Sequence, residues 1–402
     1  MILIDQTKKF KTVLITLKFK AKASKDAFAF RTLLPSVLRA KTNLYRNRMA
    51  FNEKLEAMYG ASLTSNTNKI GRLSVIHIQL KIASPSLTDD ASFEEGLKFL
   101  KEYIYGHKTF SEADFELEKR LLLEEVISKE NDKTRFALTR LFEVMCQDEL
   151  YGYRTSGTKE DIENLDFKTF KSMYKAFLKK DELQVILSGD IKEEYKTLTN
   201  QYFPNASFNQ SDFLDYETKT FDAISEVVEH DQISQTKLNI GYRLPVWNGQ
   251  DLHIAALLFN AALGGYVHSR LFLNVREKHS LCYYISSVYD AYKGILFIYS
   301  GVDAKRVDLA KKVIDEEVLK MTTSLISEKE LNLSKQAMIN DLRESEDSQG
   351  ARQNVLYVQA LLDKKSTLEQ RIAKIEAVTP KQIMEVAKLL KKDTVYLLDV
   401  ER

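Results

Sequence analysis

Arg276 and Tyr283, seven positions apart, fall in the most distinctive stretch of the chain, from Gly264 to Ser287, where a helix should end, a turn follow and a strand begin at Leu281. A guanidinium offers a rigid fork of donors and a phenol a neutral one. Converging on a cavity, the two would suit a peptide carbonyl or a developing oxyanion. From residue types alone, packing and solvation remain open for both. Metal chemistry finds less support. Helical ligands converge at spacings of three or four, and His77, His107, His230, His253, His268 and His279 include no such pair. Glu226-Val-Val-Glu229-His230 imitates a zinc motif, but it runs into an alternating strand, where positions i and i+4 lie about 13 Å apart. His77 falls on a polar strand face and is expected to be solvated. Glu118 and Glu125 stand two turns apart on one helix and could hold a cation or simply face water. Gly264-Gly265 could terminate a helix. Cys146 and Cys282, in apolar surroundings, read as buried thiols. No Gly-x-Ser-x-Gly elbow, P-loop or Gly-x-Gly-x-x-Gly occurs.

The elements that must position these residues come in two copies. Ser111-Glu-Ala-Asp114-Phe-Glu-Leu117-Glu-Lys119 matches Ser327-Glu-Lys-Glu330-Leu-Asn-Leu333-Ser-Lys335 at an offset of 216 (327 − 111), each a helix start of the capping-box type. Leu178-Lys-Lys-Asp181 matches Leu390-Lys-Lys-Asp393 at an offset of 212 (390 − 178), each between a helix and an apolar strand. Val75 to Ile82 alternates as a half-buried strand, and Leu238, Ile240, Tyr242 and Leu244 repeat the pattern. Asp303 begins a helix through Met321, and Thr379-Pro380 caps another. The expectation is α+β: two homologous domains, each an antiparallel sheet with helices on one face, spanning 1–203 and 218–402 and joined by a polar linker over 204–217.

With 402 residues, 59 Lys+Arg against 57 Asp+Glu, and 29% charged residues, the composition is that of a globular protein without the basic excess that would point to nucleic acid. The longest apolar stretch, Leu252 to Leu263, is shorter than the roughly 18 residues of a membrane span and reads as a buried helix. Met1 to Lys25 alternates like a strand rather than a signal peptide, so a cytoplasmic protein is expected.

With these residues in view, the chain resembles the insulinase (pitrilysin) family of zinc metallopeptidases over nearly its whole length. That family builds half-shells from two homologous α+β domains. Ser269-Arg270-Leu271-Phe272 followed by Arg276 and Tyr283 is similar in order and spacing to the segment with which its members hold the substrate backbone carbonyl. Leu55-Glu-Ala-Met-Tyr59-Gly60-Ala61 and the helix carrying Glu118 and Glu125 continue the likeness, with Glu125 at the third-ligand position. The family's His-x-x-Glu-His is missing: Arg31-Thr32-Leu33-Leu34-Pro35-Ser36 puts Thr32, Pro35 and Ser36 at the two His and the catalytic Glu positions, and the motif occurs nowhere else. Zinc activation of water requires three ligands and a base, so the resemblance implies a degenerate shell with no cofactor of its own.

The function expected is therefore that of a noncatalytic, peptide-binding subunit of a heterodimeric insulinase-type peptidase. Arg276 and Tyr283 would contact substrate, and an intact partner would supply zinc. The alternative is a catalytically dead peptide-binding or scaffold protein, which could be a homodimer. Neither reading involves nucleic acid or a membrane span.

Overall fold

The computed structural model describes residues 2–207, 213–216, 220–221 and 223–401. Ten strands form two sheets: β1 (Ile2–Gln6), β2 (Thr12–Lys22), β3 (Ser62–Ile70), β4 (Leu73–Ala83) and β5 (Glu182–Gly189) in the first, and β6 (Ser225–Asp231), β7 (Thr236–Arg243), β8 (Cys282–Asp290), β9 (Ile295–Val302) and β10 (Lys391–Val400) in the second. Their orders, β1-β5-β2-β4-β3 and β6-β10-β7-β9-β8, are the same permutation, which makes the duplication structural. The α+β class holds, with one change. Each sheet is mixed, because its first strand joins the last in parallel while every other pairing is antiparallel.

The odd residues of β2, Val13, Ile15, Leu17 and Phe19, enter the first core together with Ile76, Ile78, Leu80 and Ile82 of β4. Leu238, Ile240 and Tyr242 of β7 do the same in the second core with Leu296 and Ile298. The expectation of helices on one face only is corrected here. β2 is buried along eight consecutive residues, which requires cover on both faces.

That cover comes from elsewhere in the chain. The compact units are not contiguous: one comprises Met1–Ile127, Arg154–Asp212 and Glu346–Lys365, the other Ser128–Tyr153, Phe213–Ser345 and Ser366–Arg402. Helix Gln349–Leu362 thus belongs with the first sheet and helix Lys133–Met145 with the second. The two helices begin 216 residues apart (349 − 133), so they are equivalent elements of the repeat, each assigned to the other half's sheet.

The two covers differ in chemistry. On the second sheet, Ala137 and Leu141 pack with Tyr396 and Leu398. A Cβ on Gly241 of β7 would come within 2.4 Å of Met145 Sδ, so the Met145 side chain lies directly over this glycine and would have to shift to admit a larger residue. On the first sheet, the equivalent positions are polar. Gln349 Nε2 donates to the carbonyls of Thr12 (2.9 Å) and Ser188 (3.2 Å), and Gln353 Nε2 to those of Leu14 (2.9 Å) and Ile186 (3.3 Å). These carbonyls have a second lone pair beyond the sheet ladder, so the glutamines add bonds without breaking it. Arg352 forks onto Asp5 of β1 at 3.0 and 2.6 Å. Lys18 Nζ lies 3.8 Å from the centre of the Tyr357 ring.

This layer also corrects the expected solvation of His77. Its Nε2 is buried without a hydrogen-bond partner among the described residues, and burial, helped by Lys18, pushes the imidazole down to about 3. The side chain pairs across strands with Lys18, whose ammonium burial pushes down to about 7.

The segment expected as a linker, 204–217, is anchored at both described ends. Ser207 N donates to Leu183 O (2.9 Å). Phe213, Leu214 and Asp215 are buried, and Lys293, itself fully buried, reaches Asp215 at 2.8 Å and also pairs with Glu149. Phe213 and Leu214 are the apolar anchors in an otherwise polar stretch; 208–212 and 217 lie outside the described residues. The Leu-Lys-Lys-Asp repeat also acquires a physical role, since both aspartates accept a buried arginine. Asp181 takes Arg31 Nη1 at 2.5 Å, and Asp393 takes Arg243 Nε at 2.7 Å.

Arg31→Ala leaves the Asp181 carboxylate buried without its cation and is expected to cost about 3–5 kcal/mol, read from the urea midpoint; an unchanged midpoint would show that the pair contributes nothing. Lys18 is held below its unfolded value, so the folded state binds fewer protons than the unfolded chain between about pH 7 and the ordinary lysine value of 10.5. Its contribution is present at high pH and is lost as pH falls towards 7. The stability of the wild type relative to Lys18→Met should therefore rise across pH 7–9.5, by up to about 1.4 kcal/mol per pH unit. Denaturant titrations at several pH values check this, and parallel curves would refute it.

Candidate functional site

Helix His253–Asn260 continues into a wider π-type turn, Ala261–Gly265, and a second such segment, Phe272–Lys278, carries Arg276. Gly264 does more than end the helix. A Cβ there would stand 2.7 Å from Ser287 Oγ and 2.8 Å from Ser287 N, so glycine lets the turn lie directly against β8. Ser286 Oγ then donates to Gly264 O at 3.0 Å. Arg270 forks onto Glu330 (2.9 and 3.4 Å), the capping residue that receives Ser327 N at 3.1 Å. The capping box found by repeat thereby also tethers the Ser269–Phe272 segment.

β8 is an edge strand, and its register against β9 slips between Cys282, paired with Val302, and Tyr284, paired with Gly301. Tyr283 is the extra residue of this bulge. Bulges re-aim side chains, and this phenol is 72% exposed although its neighbour Cys282 is buried. Arg276 and Tyr283 line the same open cavity of about 480 Å3, together with Glu277, Ser280, Leu281, Cys282, Asp303 and Arg306. The guanidinium of Arg276 stacks 4.8 Å from the centre of the Phe272 ring, which restrains it without using its donors. Cys282 is no nucleophile here. Burial pushes its thiol up to about 11, against an opposing pull from Arg276. Arg306 was missed in the sequence, because only folding brings the start of the Asp303 helix beside the bulge.

In the first unit Thr32, Pro35 and Ser36, which the resemblance sets against the zinc motif, lie on helix Phe28–Ala40. Thr32 Oγ1 donates to Thr155 O at 2.8 Å, Pro35 has no side-chain donor atom, and Ser36 is an exposed hydroxyl. Pro35 lacks the amide that would bond to Arg31 O, and Thr67 Oγ1 of β3 supplies that bond instead at 2.9 Å. Tyr103 OH donates to Pro35 O at 2.8 Å. The backbone around the proline is thus satisfied by side chains placed for it. Glu118 is buried and held by Arg48; burial raises its carboxyl while Arg48 opposes the shift. Glu125, seven residues on, is exposed. This donor set does not fit zinc, and no group of three His, Cys, Asp or Glu able to hold a metal occurs among the described residues. The imitation motif is a strand, as expected. Glu226 pairs with Lys311 at 2.5 Å, and Glu229 with Arg140 at 2.5 Å.

No helix among the described residues is long and apolar enough to cross a membrane. Residues 164–338 match the family described as the peptidase M16 inactive domain. "Probable inactive metalloprotease YmfF" of Bacillus subtilis is 29% identical over 402 residues, covering 98% of this chain and 94% of its own. "Uncharacterized zinc protease YmxG" of the same organism is 25% identical over 293 residues, covering 71% and 70%. The crystal structure of a conserved protein from Enterococcus faecalis V583 superposes with a TM-score of 0.93 at 29% identity, covering 99% of this chain and 96% of that one. In sequence and fold alike, the chain is similar to M16-type metalloprotease relatives, and no His-x-x-Glu-His occurs in its sequence.

Proposed function

We propose that this chain is the noncatalytic, substrate-binding member of a two-chain M16-type peptidase in the cytoplasm. An intact partner would supply zinc, its ligands and the general base. The observation that carries the reading is the contrast between the two units: Thr32 and Ser36 stand where the resemblance expects two metal ligands and Pro35 where it expects the general base, while Arg276 and the bulged Tyr283 share one open cavity. A guanidinium and a phenol suit a neutral peptide carbonyl that gains negative charge as water adds to it. Donors fixed before the reaction stabilise that charge more than they stabilise the ground state. The bulge gives Tyr283 its projection, and the Phe272 ring gives Arg276 a resting direction, so neither donor has to be ordered from free rotation when peptide arrives.

Mixing the purified chain with an M16 protein that has an intact zinc motif is expected to produce peptidase activity absent from either alone. Arg276→Ala and Tyr283→Phe should each lower kcat by about 100–1000-fold while the two chains still co-elute, in the range found for loss of one oxyanion donor. No activity from the mixture would reject the heterodimer. Activity indifferent to both substitutions would reject the two residues.

A further inference from the structure

The cavity holds a second guanidinium. Arg306 lies in the turn before helix Val307–Thr323 and is connected to Arg276 through one residue, Ser280. Ser280 N donates to Arg276 O at 3.0 Å, and Ser280 O accepts from Arg306 Nη1 at 3.2 Å. Ser280 can turn both groups towards these partners because its backbone is left-handed, with φ of 51°, a conformation that a non-glycine residue adopts at a cost of about 1 kcal/mol. The strained residue therefore sits where the anchors of the two arginines meet, on the wall of the cavity.

The cavity's own carboxylates are poorly placed to neutralise both cations. Asp303 Oδ1 is turned to the backbone, accepting Lys305 N at 2.8 Å. Glu277 lies 3.7 Å from Arg276 Nε, with both side chains about half exposed, so water and an incoming anion compete readily for the pair. Among the described residues, Arg306 makes one side-chain hydrogen bond, to a neutral carbonyl, and no ion pair. Its remaining donors form a fork of the kind that binds carboxylate in two-point fashion.

We propose that Arg306 makes this cavity selective for a peptide carboxylate, either an Asp or Glu side chain or a free C-terminus, next to the carbonyl held by Arg276 and Tyr283. The inference rests on the peptide-binding reading above and adds the substrate class.

The test measures binding of dye-labelled ten-residue peptides to the full chain by fluorescence anisotropy. Three probes are used: a central Glu-Glu with amidated C-terminus, a central Gln-Gln with amidated C-terminus, and the Gln-Gln peptide with a free C-terminus. Wild type should bind one of the two carboxylate peptides about tenfold more tightly than the neutral one, and which one it prefers identifies the source of the carboxylate. Arg306→Gln should bring that ratio to near one, Arg306→Lys should leave an intermediate ratio, and Glu277→Gln, which removes the competing carboxylate, should widen it. Equal binding of the three peptides by wild type, or a ratio that survives Arg306→Gln, overturns the proposal. Arg276→Gln separates the two readings: it should weaken all three peptides, and if it weakens none, the carbonyl-holding role falls while the Arg306 ratio still stands or falls on its own variants. No binding of any peptide up to millimolar concentration overturns both.

Discussion

A five-stranded sheet buried on both faces needs two layers of cover, and that requirement shapes most of this molecule. The helices flanking each sheet in sequence fill one face and form the main core. The second face is closed by a helix from the other half of the repeat, 133–145 or 349–362. The polar layer of the first sheet, the glycine at 241 and the unusual Lys18–His77 pair all follow from what these helices bring. Where the helix offers Ala137, Leu141 and Met145, the sheet answers with apolar side chains. Where it offers Gln349, Gln353 and Tyr357, the sheet answers with carbonyls, Thr16 and Lys18.

Local signals were read well from sequence because they depend on neighbours a few residues away. The strand alternation of Val75–Ile82, the caps at Ser327 and Thr379, and the two repeat offsets all became elements in the expected places. That Pro35 can serve neither as a metal ligand nor as a general base needs no structure, since no fold gives proline a titratable or donor side-chain atom. What escaped was non-local. His77 has the pattern of a solvated face because the helix that covers it lies far along the chain, and nothing in the alternation of β4 announces it. Phe213 and Leu214, two apolar residues in a polar run, did carry a signal of anchoring, but turn composition outweighed it. Arg306 had no local signal at all, and its place beside Arg276 is fixed by the left-handed turn at Ser280.

The two candidate regions show opposite relations between backbone and chemistry. On helix Phe28–Ala40 the proline is accommodated. Thr67 and Tyr103 complete its hydrogen bonds, and the helix is as well satisfied as an ordinary structural one. Around β8 the backbone departs from regularity at three consecutive features: the π-type segment, the left-handed Ser280 and the bulge at Tyr283. Irregularity that survives in an otherwise regular sheet is held in place by its surroundings, here Gly264 against Ser287 and Arg270 on Glu330.

The assignment of helix 349–362 to the first sheet also dictates timing at the ribosome. All five strands of that sheet have emerged by Gly189, yet their outer layer is 173 residues further on (362 − 189), at Leu362. At about 5–20 residues per second that is a wait of roughly ten to thirty seconds. The face that waits carries Thr16, Lys18 and His77, which make it less apolar than the face that enters the main core.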